Sequence, residues 1–114
     1  MATAPRILLI SRDLQARARV ERAVTEAGAT LISTTHAQLA GLGPTHFDVL
    51  LQDLDETTGA VAGDHLAKGP GIKIGFYSHV HPELTAEAEA AGWRTMPRGR
   101  FWRELPTLLQ EALN

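Results

Sequence analysis

Short apolar segments alternate with helix-like segments along the whole chain, and this alternation restricts the fold more than any other feature. The apolar segments are rich in leucine and β-branched residues, which is typical of strands buried on both faces of a sheet. The segments between them carry apolar residues at helical spacing, and Gly28 and Gly92 follow two of them as stop signals. The predicted strands are Ile7 to Ile10, Thr30 to Thr34, Phe47 to Asp53, Ile72 to Ser78 and Arg94 to Pro97. The predicted helices are Asp13 to Ala27, His36 to Leu42, Ala60 to Ala67, Pro82 to Ala91 and Phe101 to Leu113.

Five strands, each followed by a helix, predict an α/β fold. Successive strand–helix–strand units make right-handed crossovers, so we expect parallel strands with helices on both faces, in three αβα layers. With 114 residues the chain can bury one core, and we expect a single domain over residues 1–114. The usual arrangement at this size is the flavodoxin-like, doubly wound sheet of order 2-1-3-4-5. Its crevice lies between the carboxyl ends of strands one and three.

Charged residues collect at this predicted crevice. Asp53 ends the third strand, and Ser11, Arg12 and Asp13 follow the first strand. A carboxylate at the end of a central parallel strand lies where ligands of open α/β sheets bind. We expect the guanidinium of Arg12 to point into the crevice and pair with Asp53 or Asp13. A charge pair at about 4 Å is worth about 4 kcal/mol at an effective dielectric constant of about 20.

The composition excludes several classes of function. The chain has no cysteine, which excludes disulfide scaffolds, thiol nucleophiles and thiolate metal sites. The formal net charge of −2 gives no general attraction to nucleic acids or acidic membranes. No apolar stretch approaches the ~20 residues that span a bilayer, and the first residues lack a signal-peptide core. A cytoplasmic location is therefore expected.

The chain resembles a known protein family, most specifically at its third predicted strand. The run Phe47-Asp48-Val49-Leu50-Leu51-Gln52-Asp53-Leu54 is similar to the third strand of the receiver domain of two-component response regulators. The resemblance extends from about Arg6 to Leu113, and Gly92, Trp93 and Phe101 fit the fifth-strand region of the family. It implies that Asp53 stands at the phosphoacceptor position. It also implies that Ser78 stands where the family has the hydroxyl residue that contacts the phosphoryl group.

The sequence departs from the receiver pattern at other functional positions. Ser11 and Arg12 stand where the family has an acidic pair that binds Mg²⁺, which leaves Asp13 as the neighbouring acid. In an ungapped alignment the lysine of the family falls on Gly99. The positions equivalent to the phosphoryl pocket are thus Ser11, Arg12, Asp13, Ser78 and Gly99. These departures predict an atypical pseudo-receiver without enzymatic turnover, metal site or cofactor. Weak binding of Mg²⁺ by Asp13 and Asp53 is the one alternative that stays open.

Three functions remain open at this stage. The first is a signalling module that acts through protein–protein interaction independently of phosphorylation. The second is a divergent phosphoaccepting single-domain response regulator, in which Asp13, Asp53 and Ser78 form the site and Arg98 or Arg100 replaces the lysine. The third is a small-ligand sensor that uses the same crevice.

A basic and aromatic cluster lies between Trp93 and Arg103. It contains no acidic residue, and arginine together with tryptophan is the composition of interface hot spots. In receiver-like proteins this segment belongs to the face formed by the fifth strand and the C-terminal helix, which contacts partners. We expect this face to bind a protein partner or a second copy of the chain, and not a membrane or a nucleic acid. The predicted contact residues are Trp93, Arg94, Arg98, Arg100, Trp102 and Arg103.

Overall fold

Five parallel strands form one sheet in the computed structural model, which describes residues 4–42, 46–56, 67–79 and 82–113. The strands are β1 Arg6–Ile10, β2 Thr30–Thr34, β3 Phe47–Asp53, β4 Ala67–Tyr77 and β5 Arg94–Pro97. The α-helices are α1 Leu14–Glu26, α2 Pro82–Ala90 and α3 Arg98–Leu113, and 3₁₀-helices cover His36–Leu42 and Leu54–Glu56. The strand order β2-β1-β3-β4-β5 confirms the predicted flavodoxin-like arrangement.

The fourth strand is longer than predicted. It begins at Ala67 rather than at Ile72, because Ala67 already pairs with Phe47 of β3 before the register shifts between Phe47 and Val49. The predicted helix Ala60 to Ala67 falls outside the described residues, except for Ala67, which is part of β4.

The last helix also begins earlier than predicted, at Arg98 rather than at Phe101. Gly99 is a poor helix former, so the first turn did not show a helical pattern in the sequence. This shift matters for the site, because it places Arg98 directly after β5 at the edge of the sheet.

The side chains of a strand alternate between the two faces of the sheet, and both faces of this sheet carry a buried apolar cluster. Ile7 and Leu9 of β1 pack in a cluster with α1 and α3, whereas Leu8 and Ile10 lie in a second cluster. The first cluster also contains Val20, Val24, Val49, Leu51, Ile74, Phe76, Met96, Phe101, Leu105, Leu108 and Leu109, and the second contains Leu39, Phe47, Leu50, Ala88 and Trp93. Coverage of both faces is the expected property of a doubly wound parallel sheet.

The ends of the first two α-helices follow from their capping residues. Asp13 caps α1, since its carboxylate accepts the backbone N–H groups of Gln15 and Ala16. Gly28 and Gly92 adopt φ angles of 75° and 91°, which confirms both predicted stop signals. No helix in the described part of the chain has the length and apolarity needed to cross a membrane.

Replacing Gly75 with alanine should lower the free energy of unfolding by about 1–3 kcal/mol, because β4 passes too close to Leu54 for a side chain. A Cβ atom on Gly75 would lie 2.8 Å from Cδ1 of the fully buried Leu54. Gly99→Ala is the matched control: no heavy atom lies within 4 Å of its added Cβ, and this helical site should gain up to about 1 kcal/mol. Urea denaturation measures both values. Equal stabilities of the two variants would contradict the crowding at Gly75.

Candidate functional site

The carboxylate of Asp53 lies at the carboxyl end of β3 and is almost fully buried, with 2% of the residue exposed. Its Oδ2 atom accepts hydrogen bonds from Nη2 of Arg98 at 2.7 Å and from the hydroxyl of Ser11 at 3.1 Å. Its Oδ1 atom accepts the backbone N–H of Asp55 at 3.1 Å. Both oxygens of Asp53 are therefore engaged by groups from three different segments of the chain.

Arg98, the first residue of α3, connects the ends of these segments through its guanidinium group. The guanidinium contacts two more carboxylates besides that of Asp53. Its Nη1 atom donates to Oδ2 of Asp13 at 3.2 Å, and its Nη2 atom lies 3.5 Å from Oδ2 of Asp55. Its Nε atom donates to the hydroxyl oxygen of Ser78 at 2.9 Å. The planar fork of arginine suits such a convergence of acceptors, which a lysine ammonium could not match in geometry.

Two acidic residues directly after β3 complete the crevice. Asp55 accepts the backbone N–H groups of Ser78 at 2.7 Å and His79 at 3.2 Å, so it fixes the loop after β4. Glu56 accepts the backbone N–H of Arg12 at 2.6 and 2.8 Å and the hydroxyl of Ser11 at 3.0 Å, so it fixes the loop after β1. Neither residue was predicted from the sequence, although a second and third acid after a strand-ending aspartate are visible there.

The pKa of Asp53 is raised from 3.8 to about 6. Burial of the carboxylate is the largest cause, and a hydrogen bond with the side chain of Glu56 adds to it, while Arg98 acts in the opposite direction. The single hydroxyl proton of Ser11 lies within reach of both acids, at 3.1 Å from Asp53 and 3.0 Å from Glu56. Only one of the two carboxylates can accept it at a time, which leaves the buried Asp53 with less support for its ionised form.

The pKa of Arg98 responds to the same neighbours. Burial lowers it, but hydrogen bonding and attraction from Asp53, together with Asp13 and Asp55, outweigh burial and raise it above the ordinary value. The guanidinium is therefore a permanent positive charge at the centre of the crevice.

Solved structures share this architecture, although no protein-family model and no curated protein matches the chain. A CheY-like response regulator receiver domain protein from Methanospirillum hungatei matches with a TM-score of 0.77 and 18% identity, over 97% of this chain and 94% of that one. The signal receiver domain of an HD domain-containing protein from Pseudomonas fluorescens matches with a TM-score of 0.75 and 20% identity, over 97% of this chain and 95% of that one. The chemotaxis response regulator CheY4 of Vibrio cholerae matches with a TM-score of 0.71 and 19% identity, over 97% of this chain and 100% of that one. The chain has the fold of a response regulator receiver domain.

Within this receiver fold, two of the predicted pocket residues are corrected. Arg12 is exposed and takes part through its backbone N–H, so the predicted ion pair of Arg12 with Asp53 or Asp13 is wrong. Gly99 is an exposed residue of α3 with no neighbour within 4 Å of an added Cβ, and it does not line the crevice. The cation comes from Arg98 instead, because α3 begins at that residue and not further along the chain.

The crevice of this receiver fold does not fit the Mg²⁺ ion that the resemblance implies. Mg²⁺ needs oxygen ligands arranged around it in near-octahedral geometry. Asp13 and Asp53 instead share the guanidinium of Arg98, at 3.2 and 2.7 Å. Among the described residues, no three acidic or histidine side chains are arranged to hold a metal ion. A divalent cation would have to displace Arg98 from both carboxylates.

The two tryptophans of the predicted contact surface are buried to different extents in the receiver fold. Trp93 is 3% exposed and packs in the second core cluster, so it offers no surface to a partner. Trp102 is half-buried and packs against Phe101 and Phe76, with ring centroids 5.0 and 5.8 Å apart. Arg98 belongs to the crevice. The residues of the predicted surface that are exposed are Arg94, Arg100, which pairs with Glu104, and Arg103.

Proposed function

We propose that this chain is a receiver-like signalling module that acts through protein–protein interaction and does not depend on phosphorylation of Asp53. The observation that carries the proposal is the ion pair between Asp53 and Arg98 at 2.7 Å inside a crevice that is closed around the carboxylate. A protein with this arrangement has its cation built in. Arg98 supplies a positive charge to Asp53 without a bound metal ion.

The state of Asp53 supports this proposal. A carboxylate attacks a phosphoryl donor in its ionised form through an accessible oxygen, whereas Asp53 is almost fully buried and both of its oxygens accept hydrogen bonds. Its pKa of about 6 also means that a fraction of the carboxyl group is protonated near neutral pH. Phosphoryl transfer further requires neutralisation of the developing charge, which the family obtains from Mg²⁺ and which this crevice is not arranged to provide. The module has no catalytic turnover in this proposal.

The proposed partner surface is the C-terminal helix with the fifth-strand face. Arg94, Arg100 and Arg103 are exposed there and supply positive charge. A protein partner or a second copy of the chain is the proposed ligand, and no membrane or nucleic acid is involved. The proposed location is the cytoplasm.

One observation favours a second function, that of a divergent phosphoaccepting regulator. Arg98 bridges Asp53 and Ser78, at 2.7 and 2.9 Å, which are the two positions where the resemblance places the phosphoacceptor and the hydroxyl residue. A guanidinium beside a phosphoryl group is a strong stabilising contact, so Arg98 has the chemistry to replace the missing lysine.

Acetyl phosphate in the presence of Mg²⁺ separates the two functions. The intact mass of the protein should be unchanged after incubation, because Asp53 is buried and paired with Arg98 in a crevice that does not fit Mg²⁺. A receiver domain with a complete acidic pair and lysine, treated in parallel, is the positive control. A gain of one phosphoryl group that disappears in Asp53→Asn would establish the second function instead.

A further inference from the structure

A groove of about 480 Å³ lies between α1 and α3. It is lined by Ala18, Arg19, Arg22, Ala23, Glu26, Trp102, Leu105 and Pro106. Its apolar side chains come from both helices, with Leu105 buried at the bottom and Trp102 half-buried. None of these residues contributes to the crevice around Asp53, so the groove is a separate feature of the surface.

Trp102 forms a rigid aromatic wall of this groove. Its ring is held by Phe101 and Phe76 beneath it, and the guanidinium carbon of Arg19 lies 5.3 Å from its centroid. Arginine stacked on tryptophan is preorganised for a partner, since little side-chain entropy remains to be lost. Tryptophan and arginine are also the residue types most enriched among the energetic centres of protein interfaces.

The charges of the groove are unbalanced. Arg19 and Arg22 face one acid, Glu26, and within the described residues neither arginine forms an ion pair with a carboxylate. The groove therefore offers positive charge around an apolar centre.

We propose that this groove binds an acidic peptide segment of a partner protein. An aliphatic side chain of the peptide would lie against Trp102 and Leu105, and aspartate or glutamate residues would pair with Arg19 and Arg22. Both arginines would repel a basic segment, so the peptide that binds must carry negative charge. The inference rests on the proposed function, because it names the kind of partner that an unphosphorylated module would bind, at a groove that shares α3 with the proposed partner surface.

The test is an NMR titration of the ¹⁵N-labelled protein with a capped peptide of repeating Glu-Glu-Leu-Leu units, beside a Lys-Lys-Leu-Leu peptide of equal length. We expect the indole N–H resonance of Trp102 to shift with the acidic peptide, with a Kd below about 1 mM. The indole N–H of Trp93, buried in the other core cluster, should stay in place and serves as the internal control. The lysine peptide should bind about tenfold more weakly or not at all.

A pair of charge-reversal variants locates the binding. Arg19→Glu/Arg22→Glu should raise the Kd of the acidic peptide about tenfold or more, while Arg12→Glu/Arg17→Glu, with the same change in net charge at exposed positions outside the groove, should leave it within about twofold. Circular dichroism checks that both variants are folded. Equal binding of the two peptides, or a loss of binding in the second variant alone, would overturn the groove as the site.

The titration is run without acetyl phosphate and repeated after treatment with acetyl phosphate and Mg²⁺, with the mass recorded each time. An unmodified protein that binds neither peptide would refute the groove and leave the proposed function standing. A phosphorylated Asp53 together with peptide binding at Trp102 would refute the proposed function and leave the groove standing.

Discussion

Replacing Arg98 with methionine is expected to lower the free energy of unfolding by about 3 kcal/mol at pH 7, because the buried carboxylate of Asp53 loses its cation. Methionine keeps apolar contact with Phe76, over whose ring the guanidinium lies at 5.1 Å, but has no hydrogen-bond donor. Asp13 and Asp55 would then approach Asp53 without a positive charge between them. Urea denaturation followed by circular dichroism measures the loss.

Two further variants show whether the loss comes from the buried pair. Arg100→Met removes an ion pair with Glu104 on the exposed side of α3 and should cost only about 0–1 kcal/mol. Asp53→Asn in the Arg98→Met background should recover most of the stability, because the amide carries no charge to be left without a partner. An Arg98→Met variant as stable as Arg100→Met would contradict the stabilising role of Arg98.

The strand order could be predicted from the sequence because the central strands are apolar throughout. Leu8, Leu50 and Leu51 are fully buried, and such continuous burial leaves a signal that periodicity can detect. The start of β4 could not be predicted in the same way. Its first part contains Gly69 and Gly71, residues typical of loops, and only pairing with β3 makes this part a strand.

The candidate site was predictable as far as it depends on strand ends. Ser11, Asp13, Asp53 and Ser78 follow or end parallel strands, and the topology brings them together at one edge of the sheet. The sequence left the cation open among Arg12, Arg98 and Arg100, because the choice depends on where α3 begins. A shift of one residue there decides whether Arg98 or Gly99 faces Asp53, and no pattern of apolar residues records it.

The roles of Asp55 and Glu56 were hidden for a different reason. Both carboxylates accept backbone N–H groups, Asp55 from the loop after β4 and Glu56 from the loop after β1. A backbone amide is present at nearly every position, so the sequence contains no mark that would identify which amides are bound. Such contacts become visible only when the loops are placed in space.

The free energy of unfolding is expected to fall by about 3 kcal/mol as the pH rises from about 4 to above 6, through the ionisation of Asp53 alone. The pKa of Asp53 is raised from 3.8 to about 6 in the folded chain, first by burial and then by hydrogen bonding with Glu56. The folded state therefore binds this proton more tightly than the unfolded state. The stabilisation is complete below pH 3.8 and is lost as the pH rises through about 6.

Urea denaturation at a series of pH values, with and without Asp53→Asn, measures this contribution. The variant should lack the fall in stability between pH 4 and 6 that the carboxyl group causes, and carbon-detected NMR of the wild type should show Asp53 titrating near pH 6. Glu56→Gln is the matched control. Because Glu56 helps to raise the pKa of Asp53, its loss should move both the titration and the fall in stability to lower pH. Identical pH dependence in wild type and Asp53→Asn would mean that Arg98 keeps the carboxylate ionised throughout, and a permanently ionised Asp53 would favour the phosphoaccepting alternative.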